Sequence, residues 1–249
     1  MADATFVDFE QGPVPGAATS VAFDWGNIAG EADDDVAIAA IYREVNQEFS
    51  ATPAGWFPYA TWLQVGSTPD YRIDVYWRRR SGDAGAVTWT WATSAFASLM
   101  GFVFRGLITT ENPLLPQSPS VKEESAQNTQ PSHPGIEIRR RTSTLLHIIA
   151  NFTGVFTGTP QGGFSEVQGT DREIYAQYDL STVPGPSGVV AATLTDAEWA
   201  SSILIELVTM PGLPEQRSRA RRPEDDDEDE RQFNEVDIRY WWREALVPA

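Results

Sequence analysis

The stretch Tyr71-Arg-Ile-Asp-Val-Tyr-Trp-Arg78 decides how the chain is read. In an extended backbone Ile73, Val75 and Trp77 share one face, and Arg72, Asp74, Tyr76 and Arg78 share the other. Val87, Trp89 and Trp91 alternate in the same way with Thr88 and Thr90. Such alternation predicts half-buried strands of an antiparallel sheet. Outward from these two stretches the apolar residues fall in short runs separated by Gly, Pro, Asp and Ser. Strands are predicted over 19–23, 36–42, 72–79, 86–91 and 98–105, then over 136–139, 144–151, 173–179, 189–194 and 201–208.

The two groups of strands match each other in order. Val36 to Ile41 corresponds to Leu145 to Ala150, and Pro53-Ala-Gly-Trp56 to the turn Pro160 to Phe164. Ile73 to Tyr76 corresponds to Ile174 to Gln177, Val87 to Trp91 to Val190 to Leu194, and Leu99 to Phe104 to Ile203 to Val208. The offsets are 109, 108, 101, 103 and 104 residues. A repeat of that length is half a sandwich rather than a solenoid unit. Doubling four main strands gives the eight of two interlocked Greek keys. The expected fold is therefore all-β: a two-sheet, jelly-roll-like sandwich built from two similar halves, with a C-terminal extension carrying one extra strand.

Domain boundaries follow from composition. The sandwich is expected over 1–209, with halves at about 17–106 and 135–208 joined by a crossing loop, 107–134. Pro113, Pro116, Pro119, Pro131 and Pro134 argue against any regular element there. Residues 210–232 read as a linker that is first arginine-rich and then acidic, ending in seven consecutive acids from Glu224 to Glu230. Residues 233–249 read as a C-terminal arm, in which Val236, Ile238, Tyr240 and Trp242 alternate with Glu235, Asp237, Arg239 and Trp241. A tethered strand of this kind can pair with an exposed sheet edge.

Charge and composition restrict function. The 249 residues carry 35 acids against 18 basic residues, a net charge of −17 that repels a nucleic-acid backbone. All but Lys122 of the basic residues are arginine, which fits either a GC-rich genome or a high-salt habitat. There is no cysteine, hence no disulfide scaffold and no thiol nucleophile. No apolar run approaches the roughly 20 residues needed to span a bilayer, and the N-terminus lacks the pattern of a signal peptide. A soluble protein without membrane insertion, cofactor or nucleic-acid partner is expected.

Few residues offer chemistry. His133 reads as a loop residue, and His147 as a strand residue that points away from Leu146 and Ile148 toward a hydrogen-bond partner. The turn holding Asp33, Asp34 and Asp35 has oxygens enough to suggest calcium, but lacks the glycine and distal glutamate of an EF-hand loop. No phosphate loop or nucleophile elbow is present, so no enzyme is expected. Two surfaces for binding remain. The aromatic stretch with Trp56, Tyr59 and Trp62 suits stacking on a surface glycan, or plugging the end of the sandwich. The clusters Arg78, Arg79, Arg80 and Arg139, Arg140, Arg141 suit docking on acidic segments such as Glu224, Asp225, Asp226 and Asp227 of a neighbour.

Three motifs in order carry a resemblance to a known module. They are Pro53-Ala-Gly-Trp56 ahead of a strand ending at Gly82-Asp83, Ala86-Val-Thr-Trp-Thr-Trp91, and Gly101-Phe-Val-Phe-Arg-Gly106 followed by Asn112-Pro113. The second half continues with Gly162-Gly-Phe164, Tyr175-Ala-Gln-Tyr178, Ala192-Thr-Leu194 and Trp199-Ala-Ser201. Over about residues 17–208 the chain resembles a β-sandwich module of tailed-phage and prophage virion proteins. The resemblance implies a structural protein of the virion, in a minor tail, fibre or head-surface position, with other virion proteins and copies of itself as partners. The long 111–134 crossing and the acidic tail depart from that pattern.

Overall fold

The computed structural model describes residues 4–12, 16–64, 70–82, 85–109, 111–115, 121–123, 127–140, 143–151, 158–167, 174–195 and 200–209. The chain divides into two units, Met1–Pro214 and Glu215–Ala249. All described residues belong to the first unit. The expected linker and arm, with Glu224, Asp225, Asp226, Asp227, Val236, Ile238, Tyr240 and Trp242, lie outside the described residues, as does Arg141.

The first half supplies β1 (Thr5–Gln11), β2 (Gly16–Asp24), β3 (Val36–Arg43), β4 (Phe57–Gln64), β5 (Tyr71–Arg79) and β6 (Ala86–Arg105). The second supplies β7 (Leu114–Leu115), β8 (Val121–Glu123), β9 (Ser132–His133), β10 (Glu137–Ile138), β11 (Ser143–Asn151) and β12 (Gly158–Pro160). It continues with β13 (Ser165–Val167), β14 (Ile174–Thr182), β15 (Gly185–Pro186), β16 (Val190–Leu194) and β17 (Ala200–Val208). One sheet runs β1-β6-β3-β5-β4, with β2 also on β6; the other runs β13-β14-β11-β17-β7, with β8 also on β17. Two small sheets, β12-β16-β9 and β10-β15, complete the second half. No α-helix occurs among the described residues, and the protein is an all-β sandwich.

The two main sheets are the duplicated halves. β6-β3-β5-β4 and β17-β11-β14-β13 have the same order, and every neighbouring pair is antiparallel. Ala40 faces Val75 and Met100 across the strands, as Ile148 faces Ala176 and Ile203. These equivalences are 108, 101 and 103 residues apart. Matching by sequence put the first and last strands one residue out, and a one-residue slip exchanges the faces of a strand. Each half keeps its strands within its own sheet, so the halves are stacked rather than interlocked.

The central core lies between the sheets. Ile38, Ala40 and Tyr42 of β3, Ile73 and Val75 of β5, and Phe102 and Phe104 of β6 meet Leu146 and Ile148 of β11, Ala176 of β14, and Ile203 and Ile205 of β17. Each large apolar side chain removed from water there contributes about 1.5–3 kcal/mol. The opposite sheet faces are buried too. β2 and the first part of β6 cover the first sheet with Phe23, Trp89 and Trp91, joined by Trp25 from the turn after β2 and Trp56 from the turn before β4. Ile149, Tyr175, Ala192 and Leu194 form one covering cluster on the second sheet, and Ile136, Ile138, Leu145, Val190 and Leu204 another.

These covers correct several expectations. The strands are buried on both faces, because β6 is one 20-residue strand whose first part extends past β3 and pairs with β2. The 107–134 stretch, read as a loop, holds β7, β8 and β9, which pair with β17 and β16 much as β1 and β2 pair with β6. Prolines punctuate those strands without preventing them. His133 accordingly lies in β9 and is buried. The aromatic stretch after Trp56, which falls in none of the expected strands, is strand β4. Pro58 is accommodated because β4 is an edge strand with a register shift between Pro58 and Ala60.

Candidate functional site

Strand parity puts His147 of β11 and Gln177 of β14 opposite each other on the outer face of the second sheet, with Ser202 of β17 beside them. All three are wholly buried. His147 Nε2 is 2.9 Å from Ser202 Oγ, and Gln177 Nε2 is 2.8 Å from His147 Nδ1. The backbone fixes the orientation of the amide. Gln161 N–H donates to Gln177 Oε1 at 2.8 Å, while Gln177 Nε2 donates to the Ala191 carbonyl at 2.8 Å. Gln177 Nε2 therefore donates its other hydrogen to His147 Nδ1, and Nε2–H of the imidazole donates to Ser202.

This arrangement resembles a serine–histidine triad with its polarity reversed. A general base must present a lone pair to the serine hydroxyl, whereas here it presents a proton. Burial, with a smaller contribution from His133, pushes the His147 pKa down to about 3, so the ring is neutral at pH 7. The group acts as a polar clamp joining β11, β14 and β17 to the covering layer. Gln161 and Ala191, the backbone partners of Gln177, also line an open cleft of about 210 Å³ with Gln130, Thr159 and Thr193. That lining offers amides and hydroxyls but no charged group.

Three acids of the 31–35 turn, Glu31, Asp33 and Asp35, are bonded by arginines. Arg80 donates to Glu31 at 3.0 Å and to Asp33 at 2.8 Å, and Asp33 also accepts Gly82 N–H at 2.8 Å. Buried Asp35 receives both Arg105 Nε at 2.8 Å and Arg105 Nη2 at 2.7 Å. Asp34 adopts φ 68° at the turn. No group of three or more His, Asp or Glu suited to a metal occurs among the described residues. Arg79 donates to the Ile108 carbonyl at 2.5 Å, and Arg78 lies against the Gly55 turn. Arg139 and Arg140 have exposed side chains, and their backbone N–H groups donate to buried Glu206 at 3.0 and 3.2 Å.

The three aromatics are divided between two cores. Trp56 is buried in the outer one, edge-on to Trp89 with centroids 4.9 Å apart. Trp62 packs against the central core, as does Tyr59, whose hydroxyl donates to the Leu115 carbonyl at 2.9 Å. The exposed aromatic of this region is Phe57, 53% accessible and tilted over Trp77 at 5.0 Å.

Sequence reasoning missed an ion network in the outer layer of the first half, buried at Arg43 and Asp74 and open to solvent at Glu48. Arg43 and Arg72 both donate to Asp74, Thr61 adds a hydroxyl at 2.8 Å, and Arg72 also clasps Glu48 at 2.7 Å. The Arg43 guanidinium is 3.7 Å from the Phe49 ring centroid and faces Trp91 at 5.3 Å. Burial lowers the Arg43 pKa in spite of Asp74; at Arg72 burial acts the same way, but the two carboxylates outweigh it and raise the pKa. The available signal was Arg72 and Asp74 on one strand face. The half-buried pattern leaves that face to solvent, because nothing in β5 indicates that β2 and β6 fold over it. Compared with family models, curated proteins and solved structures, the chain has no match in any of the three.

Proposed function

We propose that the chain is a non-enzymatic structural subunit of a tailed-virus particle, on its tail or capsid surface, held by contacts with other virion proteins and with copies of itself. The observation that carries this reading is how the polar side chains of the two candidate groups are used. His147 bonds both Gln177 and Ser202 with the imidazole proton directed at the hydroxyl, and Glu31, Asp33 and Asp35 bond Arg80 and Arg105. Both groups hold strands and turns together. The placement rests on the resemblance of the ordered motifs to virion sandwich modules, and exposed Arg139, with Arg140 beside Glu111 at 3.9 Å, suits acidic segments of neighbouring proteins.

Glycan recognition by Trp56, Tyr59 and Trp62 has less support, since these side chains pack into separate cores rather than forming one exposed platform. The test is the protein content of purified particles by mass spectrometry. The full chain is expected in the particle, and deletion of residues 223–249 is expected to abolish its incorporation. Particles that lack the full chain would overturn the reading.

A further inference from the structure

Edge strands expose unpaired backbone groups, and most edges here are protected. β1 carries Asp8 and Glu10 and a register shift between Phe6 and Asp8. β7 and β8 have two and three residues, with Lys122 and Glu123 on β8. β13 has three residues with Glu166 at its centre. β2 is uncharged up to Asp24, but its first part is Ala17, Ala18, Thr19 and Ser20, which offer no anchor.

β4 is different. It is eight residues long, has no charged side chain, and among the described residues pairs only with β5. Pro58 and the register shift fall at its first end, leaving Ala60–Gln64 in regular register. Beside that end stands Phe57, the one exposed large aromatic among the described residues.

We infer that β4 pairs antiparallel with β4 of a second copy across a two-fold axis, joining the first-half sheets of two chains into one. Charge selects this partner. Two copies of a chain of net charge −17 repel over most approaches, and β4 lets backbones meet without opposing acids. Antiparallel pairing also sets the Gln64 end, next to Asp70, beside the other copy's Phe57 end, next to Arg78 and Arg79. An isologous contact uses the same strand twice, so it closes at two chains. Phe57 is then covered in both.

The inference concerns the purified chain and stands or falls apart from the virion reading. Sedimentation of the full chain over a range of concentrations is expected to give twice the 27.5 kDa chain mass. Phe57→Glu with Pro58→Glu is expected to raise the dimer dissociation constant by at least about tenfold while circular dichroism is unchanged. The chain has no cysteine. A nitroxide on a single Pro58→Cys is therefore expected to give one narrow intermolecular distance, a readout that serves even if the double variant misfolds. A monomer at every concentration, a dimer insensitive to the folded double variant, or a broad spread of label distances would each overturn it.

Discussion

Ala39, Tyr76 and Leu99 in the first half stand where His147, Gln177 and Ser202 stand in the second. The first set lies beneath a cover of Trp56, Trp89 and Phe49; the second bonds itself and the backbone of a thinner cover. On the inner faces the halves remain alike, with Ala40 and Ile148, Val75 and Ala176, and Met100 and Ile203 in one core. The difference shows which surface the duplication constrains. Inner residues must interdigitate with the other half, whereas each outer face answers only to its own cover. The halves could therefore diverge there, one toward aromatic packing and the other toward hydrogen bonds.

Substitutions can break this comparison, beginning with the largest expected effect. Asp74 corresponds to Tyr175 of the second half. Asp74→Ala leaves buried Arg43 without its countercharge and is expected to cost about 3–5 kcal/mol in urea unfolding. A loss below 1 kcal/mol would mean that water reaches the Arg43–Asp74 pair.

Gly101 corresponds to Leu204, and a side chain at 101 would run into the Phe23 ring of the cover. Gly101→Leu is expected to destabilise by about 2–3 kcal/mol, read as a lower thermal midpoint. An unchanged midpoint would show that the aromatic cover is loose.

His147 sharpens the comparison through pH. Its folded pKa of about 3 lies below the ordinary 6.5, so the unfolded chain binds a proton that the folded chain does not. The clamp's contribution is complete above about pH 6.5 and falls toward pH 3, by up to about 1.4 kcal/mol per unit. His147→Phe is expected to remove that slope relative to the unmodified chain, while costing about 1–3 kcal/mol at pH 7 through the orphaned Gln177 and Ser202. Parallel stability curves for the two proteins between pH 4 and 6 would contradict the assignment. The smallest change, Ser202→Ala, is expected to cost about 1 kcal/mol in the same unfolding measurement.

Much of this was legible in the sequence where side chains alternate. Ile73 and Val75 lie on one face of β5 as their spacing requires, and His147 points opposite to Leu146 and Ile148 toward a hydrogen-bond partner. The duplication was legible in its order but not in its register. Val36 to Ile41 and Leu145 to Ala150 are apolar at almost every position, so nothing in them distinguishes the two faces. The covers were not legible. Arg72, Asp74 and Tyr76 read as a solvent face, because a strand pattern does not reveal that a distant segment will fold over it. Nor could β4 be read through Pro58, which a strand tolerates near its start and beside a register shift. Gln177 and Ser202 gave no local signal, since the clamp forms only when three strands come into register.

The central claim is that each half forms its own sheet, with one strand order used twice. Cross-strand Hα–Hα nuclear Overhauser effects on the isotope-labelled chain test it most directly. The effects are expected to place β3 between β5 and β6, and β11 between β14 and β17, with backbone pairing between the halves limited to the Leu107–Thr209 bridge among the described residues. Cross-strand effects that pair β3 or β5 with β11 or β14 would show interlocked halves and contradict the account.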